Sequence, residues 1–439
     1  MYESSFSHRT LGDLIDANEI QVTTGFPFGG HNSNGDGEVH IRPFNVGTDG
    51  SIHLDQIKSI PFHAASEKPR LQKGDIVFNN TNTKELAGKC ALWTSDEELV
   101  FSNHMTRIRL LENSIDPAYL SFAIFHHWMI GKSEMLARSH VAQASIIGAR
   151  FREIEVPWPR ADEQKSIGQL LSHVQVARRT EASQHELARK LKTATMRNLF
   201  TRGMRGELQK ETEIGLAPGS WEIVQLGTLG KIGNGSTPKK TQPEYWVGGF
   251  YPWLTSAKVY DREITSADQF VTDTALAKCH LPRVKPGAVL MAITGQGKTL
   301  GHCAVLTIEA TVSQHVAYLQ TDTSKANPSF VRGYLETQYE YLRQVASGGG
   351  STKGALTCAF LKSLHIPLPD LAEQQEIVTI LDSIDRKISL HQQRESVLDE
   401  LFRSLLNKLM TGEVTAEEID TSVVAPREPR PKIGIREQS

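Results

Sequence analysis

Cysteine is scarce in this chain of 439 residues, and its four examples, Cys90, Cys279, Cys303 and Cys358, are too scattered for a disulfide framework or a zinc knuckle. Net charge is nearly absent as well, at −2, so the overall balance does not point to a polyanionic partner. No apolar run reaches bilayer-spanning length and no secretory signal opens the chain, which predicts a cytoplasmic protein with reduced thiols and no membrane. The 39% hydrophobic content excludes a disordered chain and leaves room for two or three packed domains.

One stretch is present twice. Residues 151–201 and 361–411 align without a gap at a constant offset of 210. Pro157 and Pro159 fall on Pro367 and Pro369, Glu163-Gln164 on Glu373-Gln374, Ile167 on Ile377, Leu171 on Leu381, and Leu199 on Leu409. An ungapped repeat of this length reads as one architectural unit used twice. Each copy begins with a short apolar strand, 154–158 or 364–368, ends it at a Pro-x-Pro pair, and continues as a long helix. Alternating steps of four and three select a pairing seam of Ile377, Leu381, Ile384, Ile388, Leu398, Phe402, Leu405 and Leu409, interrupted by His391 and Glu395. The first helix offers a weaker set, Ile167, Leu171, Val174, Leu191 and Leu199, with Arg178 and Lys192 among the stepped positions. It is therefore expected to lean on the second helix. Because the first helix delivers the chain into a second globular region and the second starts where that region ends, antiparallel pairing with a globular region at each end of a rod is expected.

Charge is uneven along this frame. Residues 161–210 hold ten Lys and Arg against five Asp and Glu, and residues 373–439 hold nine against thirteen. A basic helix beside an acidic one is either a pairing device or a phosphate-facing stripe. The segments read as a globular region over 1–160, a helical spacer over 161–210, a second globular region over 211–371, a second helical spacer over 372–412, and a flexible Pro- and charge-rich tail over 413–439.

The globular regions share an order of elements. Strand candidates at 39–44, 75–78 and 90–93 precede a helix opened by Asp116-Pro117, and strands at 288–293 and 303–306 precede one opened by Asn327-Pro328. Gly88-Lys89-Cys90 matches Gly301-His302-Cys303, and His104 matches His315. The frames look homologous, while the loops differ.

Enzymatic motifs are thin. Residues 292–299 (AITGQGKT) satisfy a relaxed phosphate-loop pattern, but a phosphate cradle needs a helix after the lysine, and residues 300–306 read as a strand. The glycine run at 25–30 has no Asp/Asn-Pro-Pro-aromatic tetrad anywhere to accompany it, which argues against methyl transfer by this chain alone. The histidine pairs lack ligand spacing, and Cys90 and Cys303 read as core residues. What remains are polar loops able to bring amides and cations to base edges and phosphates, with ordinary surface loops as the plain alternative. Their candidate DNA-binding residues are Asn79, Asn80, Asn82 and Lys84 in the first region. In the second they are Asn234, Ser236, Thr237, Lys239, Lys240, Ser256, Lys258, Gln296, Lys298, Ser351, Thr352 and Lys353.

This arrangement resembles the specificity subunit of type I restriction-modification enzymes over nearly the whole chain. The resemblance rests on the Pro-x-Pro and Glu-Gln helix entries, the LMTGEV ending after the second helix, and PGSWEIVQLG followed by GSTPKKTQPEYWVGGFYPWLTS. It implies an α+β fold: two homologous mixed α/β target-recognition domains separated by two long helices in an antiparallel coiled coil, a pseudo-two-fold internal repeat. It implies a non-catalytic subunit that binds double-stranded DNA at a bipartite site. It also implies two methyltransferase subunits as partners and, through them, restriction subunits. S-adenosylmethionine, ATP and Mg would then serve the assembled complex, with no cofactor in this chain. A nucleotide-dependent enzyme built on 292–299, and a two-headed coiled-coil adaptor that binds proteins, are the alternatives.

Overall fold

The computed structural model describes residues 6–141, 143–295, 297–348 and 354–419. The chain forms two compact units, one of Met1–Ser183 with Gln392–Ser439 and the other of Gln184–His391. This division cuts across both helical spacers, so each unit holds one globular domain and half of each long helix.

The central helix runs Ala161–Arg202 and the C-terminal helix Leu371–Thr411. In the first unit Ile167, Leu170, Leu171 and Val174, early in the central helix, share a core with Phe402, Leu406, Leu409 and Met410, late in the other. In the second unit Met196, Leu199 and Phe200 meet Ile377, Val378 and Leu381. In each unit the early residues of one helix face the late residues of the other, so the pair is an antiparallel coiled coil. Ile384 is also buried, and Ile388, Leu398 and Leu405 are half-buried. Leu191, read as a pairing residue, is instead 55% exposed. Leu191 matches Leu401 across the repeat, whereas the alternating steps fall on its neighbour Lys192. At that level Lys192 turns inward, 2.9 Å from Asp385 and 2.7 Å from Glu336. Arg178 does the same in the first unit, binding Asp399 with its guanidinium 4.4 Å from the centre of the Phe402 ring. The polar steps of the weak seam thus hold the pair by charge.

The glutamine of each helix entry explains the repeated Glu-Gln. Gln164 Nε2 donates to the Pro159 carbonyl at 3.0 Å and Gln374 Nε2 to the Pro369 carbonyl at 2.9 Å, both from buried side chains. The entering strand, Glu155–Trp158 or His365–Leu368, pairs antiparallel with the strand that opens its domain, Ser7–Thr10 or Glu222–Gln225. Pro157 and Pro367 are tolerated within these ladders because a two-stranded sheet leaves the other edge unpaired.

The domain frames coincide. In the first, strands Ile20–Thr24, Met105–Leu110, Ile76–Asn79 and Cys90–Leu92 lie side by side in that order, all antiparallel. In the second the order is Gly230–Asn234, Val316–Thr321, Ala288–Ala292 and Cys303–Leu306, extended by a parallel edge strand, Glu263–Ile264. Helices Pro117–Met129 and Pro328–Thr337 cover these sheets, capped by Asp116, whose carboxylate accepts from Tyr119 N, and by Asn327, whose side chain accepts from Ser329 N. The thiols of Cys90 and Cys303 point at the Ser121 and Arg332 carbonyls on these helices. Burial pushes both thiols up, that of Cys303 to about 12, which suits core residues and not nucleophiles.

Gly25 and Gly235 end the first strand of each sheet at equivalent places. A Cβ on Gly25 would lie 2.1 Å from the Phe101 carbonyl oxygen, and one on Gly235 would lie 1.6 Å from that of Val312. The glycine run at 25–30 is therefore explained in part by close backbone approach. Gly25→Ala should cost about 3 kcal/mol in urea unfolding, whereas Gly29→Ala, with no neighbour within 4 Å, should be nearly neutral.

Two buried imidazoles of the first unit are held neutral. Burial, then the nearby His31, lowers His40 to about 4, and burial, then Lys132, lowers His127 to about 4. The unfolded chain gains protons as pH falls through the ordinary 6.5, before the folded one does. Stability is then complete above that pH and is lost toward pH 4, at roughly 3 kcal/mol per histidine. Burial lowers the neighbouring His126 as well, so urea midpoints should fall steeply between pH 7 and pH 5, and His127→Gln should make the slope shallower.

Candidate nucleic-acid interface

In each domain a crossing strand ends in a clamped turn where several loops meet. Strand Leu99–Phe101 runs parallel to Glu38–Ile41, and Thr311–Val312 parallel to Tyr251–Leu254. The turns that follow are Ser102-Asn103-His104 and Ser313-Gln314-His315. Ser102 N donates to Ile41 O and Ser313 N to Leu254 O, both at 2.9 Å. Met105 N returns to Ser102 O at 2.9 Å and Val316 N to Ser313 O at 3.1 Å. The His104 carbonyl accepts from Asn80 N at 3.1 Å, and that of His315 from Ile293 N at 3.0 Å. A further loop then closes on each: Ile146 N donates to Asn80 O, and Leu356 N to Ile293 O.

The candidate residues distribute unevenly around these turns. Asn79 and Asn80 are buried and turned inward, Asn79 Nδ2 donating to Pro43 O and Asn80 Nδ2 to Thr106 Oγ1, both at 2.9 Å. Their amide nitrogens are spent in holding loops and both side chains are buried, so they are not presented to a partner. Asn82 accepts from Thr83 N, and Lys84 is exposed, 3.7 Å from Glu134. In the second domain Asn234, Lys239 and Lys240 are exposed, Thr237 and Ser256 are half-buried, and Ser236 Oγ donates to Cys279 O. Lys258 is engaged by Asp268 at 3.1 Å and Asp261 at 3.7 Å. Lys298 lies exposed on a turn whose carbonyls accept from Tyr339 Oη and Arg343 Nη1. Gln296, Ser351, Thr352 and Lys353 lie outside the described residues.

The turn holding Lys298 leads into strand Cys303–Leu306, not into a helix. The phosphate-loop pattern at 292–299 therefore lacks the helix N-terminus that a cradle requires. Among the described residues no three or more His, Cys, Asp and Glu side chains are gathered to hold a metal, and no helix is long and apolar enough to cross a membrane.

Two features escape a reading of polar loops. One is the amide within each turn, Asn103 and Gln314. The signal was available as a Ser-x-His repeat, of which matching only the histidines takes half. The other lies on the central helix, where Arg189, Arg197 and Arg202 line an open groove of about 950 Å³ beside the hairpin of Gln209–Thr212 and Gly215–Pro218. None of the three forms an ion pair with a described residue. The excess of basic residues over 161–210 is thus partly spent on pairing, at Arg178 and Lys192, and partly left facing outward.

The sequence profile of the type I restriction modification DNA specificity domain matches twice, over residues 8–188 and 218–400. A protein of Methanocaldococcus jannaschii assigned as the MjaX specificity subunit of a type I restriction enzyme is 27% identical over 354 residues, which cover 79% of this chain and 80% of that one. The type I restriction enzyme MjaIX specificity subunit of the same organism is 29% identical over 196 residues, 44% of each chain. Among solved structures, the S subunit of a type I restriction-modification system from M. genitalium superposes with a TM-score of 0.61 at 16% identity, covering 93% of this chain and 96% of that one. The two profile matches take in both domain frames and most of both long helices, and the chain belongs to the type I restriction modification DNA specificity family, with the domain present twice.

Proposed function

We propose that this chain is the DNA-specificity subunit of a type I restriction-modification complex, each domain reading one half of a bipartite site and the two helices setting the gap between halves. The observation that carries this reading is the duplication itself. One sheet order and one clamped turn occur in both domains, while the loops around them share almost no sequence. Two readers of unlike sequences on one frame need that combination. The test is binding of duplex DNA as salt is varied, with and without methyltransferase subunits. A steep salt dependence together with a strong preference for one split sequence supports the reading, and salt-independent or sequence-blind binding overturns it.

The chain acts without chemistry of its own in this reading. Methyl transfer from S-adenosylmethionine, and ATP- and Mg-dependent translocation and cleavage, belong to partner subunits in the cytoplasm. Two methyltransferase subunits dock on the helices. Leu187 and Leu191 on the central helix, and Val397 and Leu401 at the equivalent positions of the C-terminal helix, support this, because all four are exposed apolar side chains. Leu187→Glu with Leu191→Glu should remove one methyltransferase subunit from the complex, and Val397→Glu with Leu401→Glu the other. Native mass spectrometry reads the loss, expected to exceed about tenfold in affinity for each pair.

A further inference from the structure

We infer that Asn103 and Gln314 each read an adenine, the one base that the two half-sites share. This rests on the proposed reading above. The side chains occupy the same position of the same turn in domains whose other loops have diverged. What is common to both readers is suited to what is common to both targets. Methyltransferase subunits of one kind, acting at both halves, need the same base in each, and loops that differ throughout do not supply a shared contact.

The turns have the rigidity that base reading needs. Each is tied to the strand beside the crossing strand through the serine N–H, which donates to Ile41 O or Leu254 O, and to the residue that follows a central strand through the histidine carbonyl, which accepts from Asn80 N or Ile293 N. Each is also pressed by a glycine, Gly25 or Gly235, at a separation that admits no side chain. Asn103 N is further held by Phe26 O at 3.1 Å. The amides themselves are little used. Asn103 Oδ1 meets Ser102 Oγ at a long 3.4 Å, and Gln314 Nε2 meets His315 Nε2 at 3.3 Å. Asn103 Nδ2 and Gln314 Oε1 make no hydrogen bond to a described residue, and Gln314 is exposed. A carboxamide offers an acceptor and a donor side by side, matching adenine N6-H and N7 in the major groove. Asn79 and Asn80, by contrast, are buried and spend their amide nitrogens inside the fold.

The experiment is methylation profiling of the assembled complex on a plasmid library randomised at the recognition site. Asn103→Ala should relax one adenine position in one half-site by about tenfold or more, and Gln314→Ala one in the other half-site. Asn103→Asp and Gln314→Glu keep the side-chain shape but remove the donor, and should move the preference at that same position toward cytosine, whose N4 amine suits an acceptor. A merely structural role does not produce that shift. A uniform loss across all sequences, an unchanged profile, or a change at a base that differs between the halves overturns the inference and leaves the bipartite reading standing. A wild-type profile with no split site overturns both.

Discussion

Exchanging residues 1–150 for the matching region of another family member should replace one half of the recognised sequence outright and leave the other half unchanged. The expectation follows from a sheet that is covered by a helix of its own region. The sheet residues Ile76, Phe78, Cys90 and Ile108 pack on helix residues Tyr119, Ala123 and Ile124 of the same region. What the graft has to preserve is the apolar surface that packs on Ile167, Leu171, Val174, Phe402, Leu406 and Leu409 of the helices, with the contacts beside it. Phe122 meets Phe402 edge-on and Phe125 lies tilted against it, and the loop of Asp49, Gly50 and Ser51 accepts from Gln175 and Arg179. With these kept, discrimination for the new half-site over the old should be on the order of 10³-fold or more, read by methylation mapping of the assembled enzyme. A recognised sequence that proved continuous, or an exchange that altered both halves, would mean that the domains do not read separately.

Lengthening both long helices by one turn, at the boundaries near Ser183 and Gln392, should widen the unread spacer while both half-sites stay the same. A turn adds about 5.4 Å, and base pairs stack at about 3.4 Å, so the gap should grow by one to two base pairs. The original spacer should then be methylated at least about tenfold less well. The same mapping experiment reads it. An unchanged spacer would detach the helices from any measuring role and leave them as docking surfaces.

The frame was legible because the repeat supplied an internal comparison. An ungapped match with Pro-x-Pro and Glu-Gln at fixed offsets located both long helices, and Asp116-Pro117 and Asn327-Pro328 marked the starts of the two domain helices through capping chemistry that is local in sequence. The pairing seam was legible only in part. Matching Leu191 to Leu401 across the repeat placed an exposed residue in the seam, and stepping by 3.5 residues passed over Leu170, Phe200, Leu406 and Met410, which are buried. Those residues pack on the domains as well as on the partner helix, and a two-helix pattern does not anticipate that third surface. The loops were the hardest part. Asn79 and Asn80 look the same in sequence as amides that face outward, and only the positions of Pro43 and Thr106, distant along the chain, show that theirs face inward.

The composition of the first unit from both ends of the chain sets an order of assembly during synthesis. Unit two, the continuous span Gln184–His391, is complete once the ribosome passes its last residue. Unit one begins earlier but has to wait, because Ile167, Leu171 and Val174 find Phe402, Leu406 and Leu409 only once the C-terminal helix has been made. Until then an apolar helix face stands open on the nascent chain, a natural binding site for a chaperone. A premature stop near residue 391 should therefore give a protein whose second unit folds and whose first is rapidly degraded, so the cell would discard a half-reader before it met DNA.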